Sequence, residues 1–299
     1  MKKATSLCFA AVMLTTLFGC KDASADISNG SEVLFTVGST KVTNDDIFRP
    51  LFLSGGFSQV NMTVSKIIFE KEVPVTEEVT KEAKKQLAEF KKSAGENLEA
   101  VLSQAGCKDI DEYYEKYIVP SVQNNKLAKK YLDANAKDQI TTYKPVKARI
   151  IACTSEGNAK NALKAVQDGK SFEAAAKQYG KTDTYNGKEI VVNQSSQLPS
   201  PVWSKISVIT DKEAMINEVI SDTSDSEKPM YYIVKVTNTK AAEEFKEEAL
   251  QSILDKSTTI KQEAMIHYLK KYNFRVYDID IYNNYKSSNP DYLVQDSED

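Results

Sequence analysis

The sequence predicts an α+β protein in which helical N- and C-terminal segments pack as one discontinuous domain around an inserted α+β module. Three observations lead there. Residues 43–135 set apolar side chains at helical spacing with almost no strand-like run. Two β-rich stretches, 146–153 and 231–236, frame short helical patterns between them. From Ala242 a long amphipathic stripe returns, and one such helix cannot bury its apolar face alone, so it is expected to fold back on the first helices.

The chain opens with Lys2 and Lys3, an apolar run over residues 7–18, and then Gly19 and Cys20. This is the layout of a secretory leader. A dozen apolar residues fall short of the roughly twenty that cross a bilayer as a helix. Leu17, Phe18, Gly19 and Cys20 match the lipobox of bacterial lipoproteins, whose cysteine is diacylated and becomes the mature N-terminus. Residues 1–19 are therefore expected to be a signal peptide and 20–32 a lipidated, polar tether. Two or three acyl chains anchor stably where one holds weakly. The location implied is the extracytoplasmic face of the cell membrane.

Losing a leader with two lysines and no acid takes the formal charge from −3 to −5. That mild acidity argues against nucleic acid, which selects clustered basic surfaces. Hydrophobic residues make up 41% of the chain, enough for packed cores. Beyond the leader and Cys20 only Cys107 and Cys153 remain, best read as two separate buried thiols. With no CxxC and no cluster of metal-ligand residues, neither a metal nor a cofactor is expected. The single histidine, His267, sits late in a helical pattern, where positive charge is favoured. A Ser-His-Asp or Cys-His hydrolase would depend on it, and no nucleophile elbow accompanies it. Zinc enzymes with His-rich sites are excluded on the same count.

In chain order, Val33–Val37 and the segment through Thr43 read as a small hairpin or an extended entry. Thr43 is an N-cap candidate, followed by Asp45 and Asp46 in a first helical turn. Thr76 starts a helix whose stripe is Val79, Ala83, Leu87 and Phe90, stopped by Gly95. Shorter helices follow to Gly106, then from Ile110, with Pro120 interrupting or restarting the helix before residues 127–132. These make up a helical region, 33–142. The module is assigned to 143–240: a strand at 146–153, helices at 158–167 and 172–179, a loop-rich 181–228 with a helix near 212–219, and a strand at 231–236. In 241–286, Phe245, Ala249, Ile253, Ile260 and Ala264 form the returning stripe, and 274–281 alternates like an edge strand. Residues 287–299 read as a disordered polar tail.

With the lipobox, residues 75–106 and the module's motifs in their order, the chain resembles the PrsA-type foldase lipoproteins of Gram-positive bacteria. In the module, Ala148-Arg149-Ile150-Ile151, Gln167-Asp168-Gly169-Lys170-Ser171-Phe172, Ala176-Lys177-Gln178-Tyr179 and the strand from Met230 to Lys235 are similar to a parvulin-type peptidyl-prolyl isomerase. The resemblance implies a helical chaperone region in 33–142 and a parvulin-like module in 143–240. It also exposes departures. Active parvulins carry histidines where this chain has Ile150 and Tyr232. The family's Gly-Gly-Asp-Leu-Gly turn has shrunk to residues 186–190. Only Asp183 falls where the family has its catalytic Cys or Asp, and the proline-pocket phenylalanine maps near Val202 or Trp203.

Rotating an X-Pro bond works against a barrier of about 18–20 kcal/mol without covalent chemistry. It needs an apolar cup for the ring and polar groups better matched to the twisted amide than to the planar one. Ile150 offers no hydrogen bond and Tyr232 offers one. The function implied is thus a membrane-anchored foldase assisting secreted proteins after translocation, with a degenerate isomerase module. An active isomerase is the alternative. A solute-binding lipoprotein of a transporter is a remote one, because residues 43–135 supply no strands for a second α/β lobe. The partners implied are unfolded or partly folded secreted proteins and the membrane, with a homodimer left open.

Overall fold

The computed structural model describes residues 27–181 and 184–295, so Cys20 and Asp183 lie outside the described residues. The described chain forms two compact units, 27–66 with 268–295, and 67–267. No helix among the described residues is long and apolar enough to cross a membrane.

The chain begins with strands β1 (Val33–Val37) and β2 (Thr40–Thr43), turned at Gly38, whose φ of 62° is one glycine adopts freely. Thr43 opens α1 (Asn44–Leu51) through a capping box, its backbone N–H and hydroxyl donating to Asp46 at 2.8 and 2.9 Å. A π-turn over Phe52–Gly56 leads into α2 (Phe57–Glu72). The helix α3 (Glu77–Ala94) starts where the Thr76 hydroxyl accepts the Val79 N–H at 3.3 Å. It ends at Gly95. Next come α4 (Leu98–Gln104) and α5 (Ile110–Tyr113), then α6 (Val119–Ala134) and α7 (Ala136–Tyr143). Pro120 does not break the helical run: it sits at the start of α6, directly after a π-helical stretch over Tyr114–Ile118.

The sheet module contains β3 (Val146–Cys153), α8 (Glu156–Gln167), α9 (Phe172–Tyr179), β4 (Asn186–Val192), α10 (Ser200–Ile206), β5 (Ala214–Met215), β6 (Ile220–Asp222) and β7 (Met230–Asn238). Its strands are antiparallel in the order β4-β3-β7-β5, with β6 also paired to β7. Side chains alternate between faces along each strand. Val146, Ala148, Ile150 and Ala152 join Tyr232, Val234 and Val236 on the face covered by α10. Ile151, Cys153 and Ile233 pack against α8 and α9 on the other. Burial on both faces from Ile150 onward explains the unbroken apolar end of β3, while Lys147 and Arg149 are half-buried.

Three sequence expectations are corrected here. The helix near 212–219 is absent. Ala214 and Met215 instead pair with Val236 and Lys235. The loop-rich stretch contains α10, hidden by Pro199 and Pro201, which are tolerated at a helix start. Residues 186–190 are not a turn but the first part of β4, with Gly187 at φ 80° and against the Phe172 carbonyl, where a Cβ would clash.

The chain then forms α11 (Ala241–Glu244), α12 (Lys246–Lys256), α13 (Ile260–Lys271) and α14 (Ile279–Ser288). The stripe expected on one long helix is instead carried by three, interrupted at Phe245 and again from Ser257, and its middle packs against earlier helices. Leu250, Ile253 and Ile260 bury themselves with Leu132, Ala136 and Tyr143, and the Tyr143 hydroxyl donates to Glu263 at 2.9 Å. The chain thus leaves a helical layer after α7, builds the sheet module and returns to the same layer through α12. The predicted edge strand at 274–281 is instead a helix start, because Asp278 Oδ1 accepts the N–H groups of Asp280 and Ile281 at 2.9 and 3.0 Å. Regular structure extends to Tyr292, beyond residue 287 where the polar tail was expected to begin.

In the unit of residues 27–66 and 268–295, Tyr285 is fully buried, edge-on to Phe57 and Phe274, and donates to Asn61 Oδ1 at 2.8 Å. Burial pushes its phenol up to about 12. Arg49 pairs with Asp278 at 3.6 Å and with Asp280.

Candidate functional site

The sheet face under α10 gathers four of the residues singled out in the sequence. Ile150 comes from the middle of β3 and Tyr232 from β7. Register sets Ile150 opposite Val234 and Ala152 opposite Tyr232, which makes the two candidates diagonal neighbours about 7–8 Å apart. Val202 and Trp203 descend onto them from α10, Val202 fully buried and Trp203 half-buried. Ile150 is 1% exposed, so its position is core.

Polarity on this face comes from phenols. Tyr232 is 5% exposed, and its ring meets Tyr185 edge-on at 6.1 Å. Burial holds the Tyr232 phenol above its ordinary value, helped by the charge of Asp222 and by Tyr185. Burial alone does the same for Tyr185. Both are neutral hydroxyls at physiological pH, able to donate one hydrogen bond each. They cannot accept and return a proton in that range as an imidazole does.

Tyr185 and Asp222 were not singled out in the sequence. Tyr185 lies in a segment without periodicity, and Asp222 belongs to a three-residue strand whose pairing with Met230 only the fold reveals. Leu198 and Ile190 also pack at this face. On the opposite side of β3, Arg149 bonds Glu173 and donates to the Gly187 carbonyl at 3.1 Å, clamping β4 to α9. The Glu173 carboxyl is held low first by its own backbone N–H and then by Arg149.

The remaining candidates are elsewhere. His267 is exposed on α13, its ring 5.2 Å from that of Tyr131. Cys107 and Cys153 are buried and unpaired with each other, and burial pushes the Cys153 thiol up.

No family model matches the chain. Foldase protein PrsA 3 of Bacillus anthracis is 27% identical over 287 residues, spanning 92% of this chain and 96% of that one. Foldase protein PrsA 3 of Bacillus cereus is 30% identical over 240 residues, spanning 79% of this chain and 80% of its own length. The chain belongs to the PrsA foldase family. Foldase protein PrsA of Streptococcus mutans agrees, at 30% identity over 79% of this chain and 71% of that one. The fold matches too: a crystal structure of foldase protein PrsA from Streptococcus pneumoniae superposes with a TM-score of 0.51 at 22% identity, covering 87% of this chain and 99% of that one. Within a PrsA fold, then, the α10 face is where Ile150 and Tyr232 lie, and neither is an imidazole.

Proposed function

We propose that this protein is an extracytoplasmic foldase, held to the membrane by lipid on Cys20, that assists the folding of secreted chains and carries a parvulin-like module with little isomerase activity. The observation that carries the reading is Ile150, buried to 1% beside Tyr232 on the α10 face. A twisting amide there meets methyl groups where a proton-sharing pair would be needed, and the buried phenol of Tyr232 gives at most one donor. Binding of apolar segments asks less of the site.

The test pairs a protease-coupled assay on a proline tetrapeptide with an aggregation assay on an unfolded client. Suppressed aggregation is expected, with cis-trans exchange little above background and little change in Asp183→Ala. Turnover comparable to active parvulins, abolished in Asp183→Ala, would overturn the degenerate-site reading. That active-isomerase alternative is supported by the Tyr232 hydroxyl, still directed to the same face as Trp203. For the anchor, Cys20→Ala should abolish lipid labelling and release the protein from membranes. A variant of unchanged mass that still needs detergent for extraction would refute it.

A further inference from the structure

The hairpin of β1 and β2 leaves its apolar side chains in solvent. Every residue of β1 is exposed, Val33, Leu34 and Phe35 by about half and Val37, beside the turn, by 69%. Nothing among the described residues therefore covers either side of the strand. Residues 33–40 carry no charge, unlike the lysine- and glutamate-rich surface of a helix such as α3. Shortly afterwards Leu51 and Leu53 are exposed as well. In the other unit, exposed apolar residues such as Val75 and Val208 stand singly, as is ordinary for a protein surface. A cluster of this kind marks a contact, and a two-stranded hairpin without cover is marginal in water.

Chain geometry says what lies beside it. Residues 27–32 are bonded to the start of α1. The Asp45 N–H donates to the Gly30 carbonyl and the Asn44 N–H to the Glu32 carbonyl, each at 3.0 Å, and the Asn44 side chain donates to the Asn29 carbonyl at 3.0 Å. Residues 20–26 are then all that separates this lock from the acylated cysteine. A stretch of that length spans at most about 25 Å. The five residues of β1 extend roughly 17 Å, enough to cover most of that gap. A second copy or a client must diffuse to the hairpin, whereas so short a leash keeps lipid at a high effective concentration beside it.

We infer that the β1–β2 hairpin dips into the outer leaflet of the bilayer that holds the Cys20 lipid, with Val37 and Phe35 entering the acyl-chain boundary. Apolar side chains of interfacial elements bury about 5–10 Å there. Lys41, opposite Thr36 in the hairpin, is exposed and has stem enough to lift its ammonium to the headgroups. Asp46 is engaged at the base, where it accepts from the Thr43 N–H and hydroxyl. The inference rests on the lipid-anchor reading and adds where the folded chain meets the membrane.

The probe is an environment-sensitive fluorophore on Val37→Cys in the mature, acylated chain, reconstituted in vesicles of phosphatidylcholine and phosphatidylglycerol. Cys107 and Cys153 are buried and Cys20 is blocked by lipid, so the new thiol is the reactive one. Val208→Cys, 73% exposed on the sheet module, carries the same label as a reference. Position 37 should shift to the blue, be quenched by lipids brominated in their acyl chains, and lose quenching by aqueous iodide. Position 208 should do none of these. High salt should leave the difference in place, because residues 33–40 are uncharged. Adding Leu34→Ser and Phe35→Ser should return iodide quenching at position 37. If that variant loses its helical circular dichroism, bromine quenching of the otherwise native hairpin decides alone. Equal responses at positions 37 and 208 overturn the inference. So does shielding of position 37 in the Cys20→Ala chain without vesicles, which would mean that a second copy covers it, or shielding that appears only when an unfolded client is added. A chain found at the membrane with no acyl mass on Cys20 refutes the anchor reading itself, and the placement of the hairpin with it.

Discussion

At Ile150 the side chain meets Val234, Val202 and other apolar groups, with the phenols of Tyr185 and Tyr232 as the polar exceptions on its face. Placing a histidine there would bury an imidazole with few partners. Leaving a buried polar group unsatisfied costs about 1–3 kcal/mol, so Ile150→His should lower the urea midpoint. Its pH dependence has a definite sign. Desolvation disfavours the imidazolium, which depresses the folded pKa below the unfolded value of about 6.5. The unfolded state then binds more protons, and the variant loses further stability relative to wild type as pH falls through 6.5. An unchanged midpoint at pH 8 and at pH 5 would mean that water reaches this face. The double variant Ile150→His with Tyr232→His bears on catalysis. Two imidazoles on diagonal positions could bond each other, so a raised isomerisation rate in the double but not in either single change would show what the native face lacks.

Elements with strong local signals were legible in the sequence. Thr76 with the Val79 and Ala83 stripe gave α3, and the apolar runs at 146–153 and 231–236 gave the central pair of strands. Elements whose signal is tertiary were not. β4 carries lysine and glutamate because it is an edge strand, and it reads as a loop until β3 is beside it. α10 is short, starts on prolines and is stabilised by Val202 and Ile206 against the sheet. α14 depends on one capping carboxylate, Asp278, in a segment whose apolar residues alternate. For the candidate site, sequence found Ile150, Val202, Trp203 and Tyr232, and the fold brought them to one face. Tyr185 and Asp222 needed the strand pairing. The α12 stripe can be tested as an element. Ile253 is fully buried between α12, α6 and α7, so Ile253→Ala should cost about 2–5 kcal/mol by leaving a cavity. Denaturant unfolding with an unchanged slope would measure it, and a loss under 1 kcal/mol would mean that the helices close over the gap.

Across the molecule, the sheet module owns both of its cores. α10 covers one face and α8 with α9 the other, all from within residues 143–240. The helical layer does not: Leu132, Ala136 and Tyr143 depend on Leu250, Ile253 and Ile260, which the chain supplies more than a hundred residues later. Deleting residues 242–299 should therefore act unequally. The helices before Tyr143 lose a buried face, and Tyr285 no longer fills the core it shares with Phe57 and Asn61. Each Ile or Leu of the lost stripe removes about 1.5–3 kcal/mol of burial. The module loses less, chiefly the Asn193–Ser252 hydrogen bond of 2.9 Å and the cover of Phe245 and Ala249 over Val191. Two readouts separate the parts. Helical circular dichroism should lose its cooperative melt, while Trp203, inside the module at the α10 face, should keep its folded emission through a distinct later transition. Coincident loss of both signals would make the module dependent on α12, and an unchanged helical melt would show that the first helices are stable without the returning stripe.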